Sequence, residues 1–394
     1  MRVAYVVQRY GHQIRGGAEA HCREYATRVA AAGHTVEVFT TRAVDYRTWE
    51  NELPEGRAGD DGVTVRRFTV VQQRPAEFDE FCAEVLADPR HVPREVQERW
   101  MQMQGPLAPD LIEALRSESD GFDLVIFVTY LYYTTYYGLP AAPSRAVLHP
   151  TAHDEPPLRL PIFEDMFRIP KALVFLTDEE RSIVHDRFEV SAVEQAVIGI
   201  GVDTPPTTDP EHVRSKLRLS DRYVLCLGRI DASKGIGHLI EFFRKYRERG
   251  DRRVDLVLAG DNVAKIDDEA GIVVAGSVDE RDKWDLLAGA SVLVHPSYFE
   301  SFAINLLEAW SVDTPAVVNG YCDITVGHCR RSGGGLWYRS YAEFEACLER
   351  LLRDEGLRVA LAASGRRYVA SRFSWNTILN RYISFLDAAR EAVA

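Results

Sequence analysis

Several familiar signatures are missing from this 394-residue sequence. It has no Asp-x-Asp, no C-x-x-C pair, no G-x-x-x-x-G-K-[ST] phosphate loop and no surplus of positive charge. Lys and Arg number 47 against 59 Asp and Glu, a formal net charge of −12. That balance disfavours nucleic acid as a partner, because a phosphate backbone requires a basic face. Without C-x-x-C spacing, the six cysteines (22, 82, 226, 322, 329 and 347) do not suggest a redox motif or a zinc ribbon. Cys226 sits in an apolar, strand-like run, which suits reduced, buried thiols better than a disulfide framework. The N-terminal MRVAYVVQRYGHQ holds an apolar run of only five residues. That is too short for a signal-peptide core or a membrane span. A cytoplasmic protein is expected, with peripheral membrane association left open.

What is present is a regular alternation of apolar runs with amphipathic segments. Strands are expected at 2–7, 35–41, 63–70, 124–129, 145–149, 172–177 and 195–201. LVIFVT at 124–129 is apolar on both faces, as a parallel sheet covered by helices requires. Helical patterns lie between, such as 17–33, which ends on a glycine suited to a C-cap. The alternation pauses at 201-GVDTPPTTDP-210, where prolines and small polar residues read as a linker. It then resumes with strands at 223–228, 254–260, 272–276, 291–297, 315–320 and 336–338, and a long helix at 236–250. The fold class is therefore α/β, with two doubly wound domains at 1–200 and 211–373. The tail, 374–394, reads as a closing helical segment free to pack back on the first domain. Chemistry is expected in the loops at the strand carboxyl ends, on either side of a cleft.

Four of those loops hold candidate groups. In 15-RGGAE-19, following the first strand, the glycine pair lacks G-x-G-x-x-G spacing, so a dinucleotide fingerprint is disfavoured. Either its N–H groups contact an anion at a helix N-terminus, or it is a tight turn with no ligand. In 228-GRIDASKG-235, Arg229 and Lys234 offer a fork donor and a point charge beside a helix start, a diphosphate clamp or else two solvated cations. His149 and His153 are separated by Pro150, which keeps them from sharing one helix face as a zinc pair would. A polar cluster facing a cleft fits them better, and no metal site is expected. Finally, 298-YFESFAINLLEAW-310 carries Glu300 and Glu308 with seven residues between them. With a helix starting near Ser301, Glu308 lies ~12 Å further along the axis at 1.5 Å per residue. Hydrolytic carboxylates stand ~5–9.5 Å apart, so the pair suits an extended ligand touched at both ends. The plainer alternative is a helix cap and a solvated side chain.

Taken together, the P-S followed by E-x7-E, the G-R…K-G and the N-terminal G-G-A-E resemble a retaining glycosyltransferase of family 4, with the GT-B architecture of two facing Rossmann-like domains. The resemblance runs in order through essentially the whole chain. It implies that Glu300 holds hydroxyls of the donor sugar, assisted by main-chain N–H groups of Phe302, Ala303 and Ile304. Glu308 would accept from the ribose hydroxyls. Gly228, Arg229 and Lys234 would meet the diphosphate, Gly17 the phosphates or the sugar, and Gly276 and Val278 the base. His153, in A-H-D-E-P, matches the family histidine that reaches the transferred sugar. Ala303 departs from the family pattern, which has glycine there, and the lead-in to the 325–338 glycine run is also unusual.

The family implication is metal-independent transfer from a nucleoside diphosphate sugar to a sugar, lipid-linked or small-molecule acceptor, with no cofactor. The five tyrosines of 130-YLYYTTYYG-138 serve either as aromatic faces for such an acceptor or as core. A nucleotide-sugar epimerase on the same fold and a silent nucleotide-sugar binding module are the alternatives from other classes.

Overall fold

Strands that are apolar at every position occupy sheet centres, where helices cover both faces. The structure, a computed structural model, describes residues 1–14, 16–203, 205–249 and 253–391. Its chain contacts divide it into two units, Met1–Gly199 with Leu379–Ala394, and Ile200–Ile378.

The first unit contains β1 (Arg2–Val6), β2 (Thr35–Thr41), β3 (Gly56–Asp60), β4 (Val63–Phe68), β5 (Leu124–Val128), β6 (Ala146–His149), β7 (Ala172–Phe175) and β8 (Glu194–Val197). They form one sheet in the order β3-β4-β2-β1-β5-β6-β7-β8. Pairing is parallel except between β3 and β4. The second unit contains β9 (Arg222–Leu227), β10 (Val254–Ala259), β11 (Ile272–Gly276), β12 (Val292–His295), β13 (Ala316–Asn319) and β14 (Gly335–Tyr338). Its parallel sheet runs β11-β10-β9-β12-β13-β14. Strand order reverses between β1 and β5 in one sheet and between β9 and β12 in the other. Open sheets of this kind bind ligands outside the carboxyl ends at that reversal.

Three features add to the sequence expectations. The edge strand β3 was not anticipated, because GRAGD is exposed and has no apolar alternation. Its hairpin was nonetheless marked by Asp61-Gly62, both at positive φ (47° and 81°), the pair that a tight two-residue turn favours. Next, the segment 201–210, read as an interdomain linker, lies at the start of the second unit and is tied into it. Val202 N–H donates to Phe373 O at 2.7 Å, a Cβ on Gly201 would come within 2.3 Å of the Trp375 ring, and Pro210 already opens the helix Pro210–Leu217. Thr204 lies outside the described residues, as do Gly250 at the end of the expected 236–250 helix and residues 392–394 of the tail. Third, the tyrosine-rich stretch mostly builds core: Tyr130 and Tyr133 are buried, and Tyr132 packs edge-on against Trp49 at 5.6 Å.

The tail forms one helix, Trp375–Glu391. Within the first unit its Tyr382 is fully buried, with the hydroxyl 3.0 Å from His149 Nε2 and 3.1 Å from the Tyr5 hydroxyl. His149 Nδ1 meets His21 Nε2 at 2.8 Å, so a buried polar chain ties the last helix to β1 and β6. Burial pushes the His21 imidazole down to about 3 and His149 well below its usual value, with the charge of His21 as a lesser cause for His149. Both are neutral in the folded protein.

An unfolded chain takes up these two protons near pH ~6.5. The stability associated with the pair is therefore complete above that pH and is lost as pH falls toward the lowered folded values. Denaturant titrations from about pH 7 to about pH 4.5 should show the first unit losing roughly 1.4 kcal/mol per pH unit for each histidine. A flat profile over that interval contradicts a neutral buried pair.

Candidate active site

At the reversal in the second sheet, the chain leaves β9, β10 and β11 through glycines at positive φ: Gly228 (134°), Gly260 (145°) and Gly276 (66°). A Cβ on Gly260 would lie 1.9 Å from Gly228 O, so no side chain fits at that exit, whereas at Gly228 and Gly276 the positive φ is what favours glycine. Beyond Gly228 come Arg229 and Lys234. Asp231 shapes this loop, accepting the Ser233 N–H at 2.8 Å and facing Arg229 Nε at 3.4 Å. Gly235 (φ 74°) ends it, and a Cβ there would sit 2.4 Å from Pro296 O. That close approach presses the loop against the segment after β12 and brings Lys234 Nζ to 2.6 Å from Glu300 Oε1.

Glu300 follows β12, whose last residue, His295, is buried with Nε2 3.8 Å from the same Glu300 oxygen. Burial pushes the Glu300 carboxyl up, but the Lys234 ammonium and then His295 outweigh it and hold the acid below its usual range. His295 is driven toward its neutral form by burial, against the pull of Glu300.

The helix after this loop is Ile304–Ser311, not one starting near Ser301. Ala303 precedes it in a left-handed conformation (φ 62°, ψ 59°), which delays the first turn. Only residues 304–308 rise at helical pitch, so the ~12 Å axial separation expected from a continuous helix does not hold. Phe302 anchors the loop below, edge-on to His328 at 5.2 Å and to Phe373 at 5.6 Å. Glu308 has its own cation, Lys283 Nζ, at 2.9 Å. Burial pushes Glu308 up, with Lys283 opposing. Burial also favours neutral Lys283, yet Glu308 and Glu280 together keep it charged. Lys283 lies on the helix Glu280–Gly289, entered from Gly276 through the half-buried Val278.

The first unit holds the other two candidates. Gly16 and Gly17 differ in kind. A Cβ on Gly16 would strike Glu19 Oε2 at 2.1 Å, whereas one on Gly17 would meet nothing within 4 Å. Packing thus explains Gly16 and leaves space beside Gly17. Glu19 is buried and receives Arg9 Nε at 2.8 Å and Gln8 Nε2 at 2.9 Å. His153 Nε2 lies 3.2 Å from Glu155 Oε2, and Glu155 accepts the Tyr130 hydroxyl at 2.7 Å. His149 is not its partner in a metal pair, since both its ring nitrogens are engaged by His21 and Tyr382. One group among the described residues, His12 with Asp60 and Asp61, gathers potential ligand atoms within 4.8 Å. The Arg23 guanidinium lies 2.7 Å from Asp61 and 2.9 Å from His12, so one cation already sits in that cluster.

The structure therefore brings Lys234, Glu300 and His295 together, sets Glu308 on Lys283, and leaves Arg229 facing Asp231. Lys283 and His295 escaped the sequence reading. Lys283 stands three residues after Glu280, and His295 is a polar residue closing an apolar strand before proline. The 325–338 glycine run proves to be packing. A Cβ on Gly334 would be 2.7 Å from Trp310 Cε2, and one on Gly335 would be 2.7 Å from Ala316 O.

Two doubly wound parallel sheets, each in its own unit, are the components of the GT-B fold, and solved structures share it. Sucrose-phosphate synthase of Thermosynechococcus elongatus superposes with a TM-score of 0.75 at 16% identity, covering 100% of both chains. Residues 208–368, which make up most of the second unit, match the family model of glycosyl transferases group 1. An uncharacterized glycosyltransferase, MJ1607, of Methanocaldococcus jannaschii is 28% identical over 43% of this chain and 46% of its own length. The D-inositol 3-phosphate glycosyltransferase of Frankia alni is 26% identical over 96% of this chain and 97% of its own. In the alignments with MJ1607 and several other curated relatives, the chain spans about half of their length.

Among its neighbours, the charge state of Glu300 depends most on Lys234. Replacing Lys234 with Met should lift the Glu300 titration above the ordinary carboxylate range, read from the side-chain carboxyl carbon by NMR. In the parent protein a lowered acid adds stability above the unfolded carboxylate pKa and loses it as pH falls through the folded one; in Lys234→Met the sign reverses. An unchanged midpoint would assign the lowering to another group.

Proposed function

We propose that the chain transfers a sugar from a nucleoside diphosphate sugar to an acceptor hydroxyl, with retention of configuration and without a metal ion. The observation that carries this reading is the Lys234–Glu300 pair, 2.6 Å apart at the β9/β12 reversal. A cation for a leaving diphosphate and an anion for sugar hydroxyls stand side by side where such sheets bind nucleotides. The group 1 match over residues 208–368 supports it from an independent direction.

In the proposed reaction the bond from the anomeric carbon to the diphosphate oxygen breaks. The acceptor oxygen bonds that carbon on the face being vacated, and its proton passes to the departing phosphate. Arg229 and Lys234 neutralise the charge that builds on the phosphates, which is electrostatic stabilisation in a prearranged site. Glu300, kept ionised by Lys234, accepts from sugar hydroxyls and stabilises positive charge developing on the ring. Glu308, steadied by Lys283, holds the ribose. Main-chain N–H groups of Phe302, Ala303 and Ile304 assist at the sugar, Gly17 leaves room beside the phosphates, Gly276 and Val278 border the base, and His153 contacts the sugar. The Cβ of Ala303, where the resembled family has glycine, narrows the choice of donor. The acceptor class proposed is a polysaccharide, glycolipid or natural product, and the location cytoplasmic.

Glu300→Gln should lower kcat by about 2–4 kcal/mol of transition-state stabilisation and leave the Kd for nucleoside diphosphate near that of the parent. Glu308→Ala should weaken nucleotide binding at least as much as it slows turnover. Calorimetric titration with steady-state kinetics separates the two. Loss of nucleotide binding in Glu300→Gln with none in Glu308→Ala would exchange their roles. In the same assay, activity should survive EDTA, because Arg229 and Lys234 supply positive charge at the leaving group. Loss of turnover on chelation, restored by a divalent ion, would refute the metal-independent mechanism.

A further inference from the structure

His153 sits in a loop whose backbone is strained. Thr129 (φ 68°) and Thr151 (φ 50°) both take left-handed conformations, one after β5 and one after β6, its parallel neighbour. For β-branched residues this is an outlier that persists only where the surroundings enforce it. Part of the enforcement is a double crossing between the loops: Thr129 N–H donates to His149 O at 2.8 Å, and Tyr130 N–H to Pro150 O at 3.0 Å.

The rest comes from a buried carboxyl group. Glu180 is fully buried, in the first turn of the helix Asp178–His185, and its N–H donates to the capping Thr177 Oγ1 at 3.0 Å. An acid three residues after a capping threonine ordinarily reaches back to the chain at the start of its own helix. One oxygen does so here: Oε2 accepts the Leu176 N–H at 2.6 Å. The other does not. Oε1 accepts the N–H of Ala152 at 2.8 Å, from the residue immediately before His153. Capping the helix does not require this second contact, and a carboxyl group is costly to bury unless its oxygens find partners. Burial pushes the Glu180 carboxyl up to about 8, against the N–H groups of Leu176 and Ala152 and the charge of His153.

We propose that Glu180 is a positioning residue for His153: by holding the Ala152 N–H it sets the strained turn at 151–153, and with it the direction of the imidazole. The inference rests on the reading of His153 as the group that meets the transferred sugar.

The test is a two-by-two set of the parent, Glu180→Gln, His153→Ala and the double variant. Long-range proton–nitrogen NMR of the histidine rings is the first readout, and needs no substrate. In Glu180→Gln the His153 resonances should shift or broaden, while those of His328 in the other unit stay in place. The second readout is release of nucleoside diphosphate from UDP-glucose or GDP-mannose, whichever is turned over. Glu180→Gln should lower kcat about 10–100-fold with KM nearly constant, but change the His153→Ala protein by less than about twofold, since coupled residues are not additive. Unmoved His153 resonances, or the same loss of kcat in both backgrounds, would overturn the proposal. If His153→Ala is as active as the parent, the reading of His153 falls, and the NMR result still decides whether Glu180 directs the ring. Glu180→Asp keeps the carboxyl group but withdraws it by one methylene. It serves, with the same expectations, where the glutamine variant does not fold.

Discussion

An acid at the reversal of a parallel sheet is costly unless a cation meets it, and the second unit is arranged around that requirement. Glu300 stays ionised because Lys234 Nζ lies 2.6 Å away. Lys234 reaches that place because Gly235, at φ 74°, lets its loop touch the Pro296 carbonyl. The loop in turn leaves β9 through Gly228, stacked against Gly260 too closely for any side chain. Removing one member of such a set leaves another uncompensated, so the glycines support the charge pair as much as the lysine does.

The second pair shows how the same chemistry can be balanced differently. Lys283 serves Glu308 and Glu280 at once, at 2.9 and 2.8 Å, and is held charged by both. Glu308, half-buried and sharing its cation, is nudged toward its protonated form, whereas Glu300 is held ionised. Two carboxylates from one E-x7-E motif thus meet opposite electrostatic fates. In the proposed reaction that difference suits an anion facing developing positive charge and an acceptor for unchanging ribose hydroxyls.

The alternation of apolar runs was legible in the sequence because two-sided burial leaves β5 and β10 no polar face to disguise them. Edge strand β3 was not, since an exposed Gly-Arg-Ala-Gly-Asp strand is specified by its partner and its turn rather than by burial. At the site, the acids and cations could be picked out by type and by loop, but their pairing could not. Lys234 finds Glu300 across 66 residues of sequence, and Glu180 finds Ala152 across 28. The late start of the helix at Ile304 was hidden because alanine, unlike glycine, does not advertise a left-handed residue. His149 and His153 read as one cleft-facing polar cluster because they are neighbours in sequence; the fold buries the first and sets the second beside Glu155.

The central claim is that the strand-end loops of the second unit form the nucleotide side of a sugar-transfer site. Hydrogen–deuterium exchange, with and without saturating nucleoside diphosphate, tests it most directly, since a bound ligand slows the opening of the segments it touches. The account predicts slowed exchange in 228–235, 276–283 and 296–308, with much smaller changes before residue 200. Protection confined to the first unit, or absent from all three loops under saturation by every common nucleoside diphosphate, would contradict it.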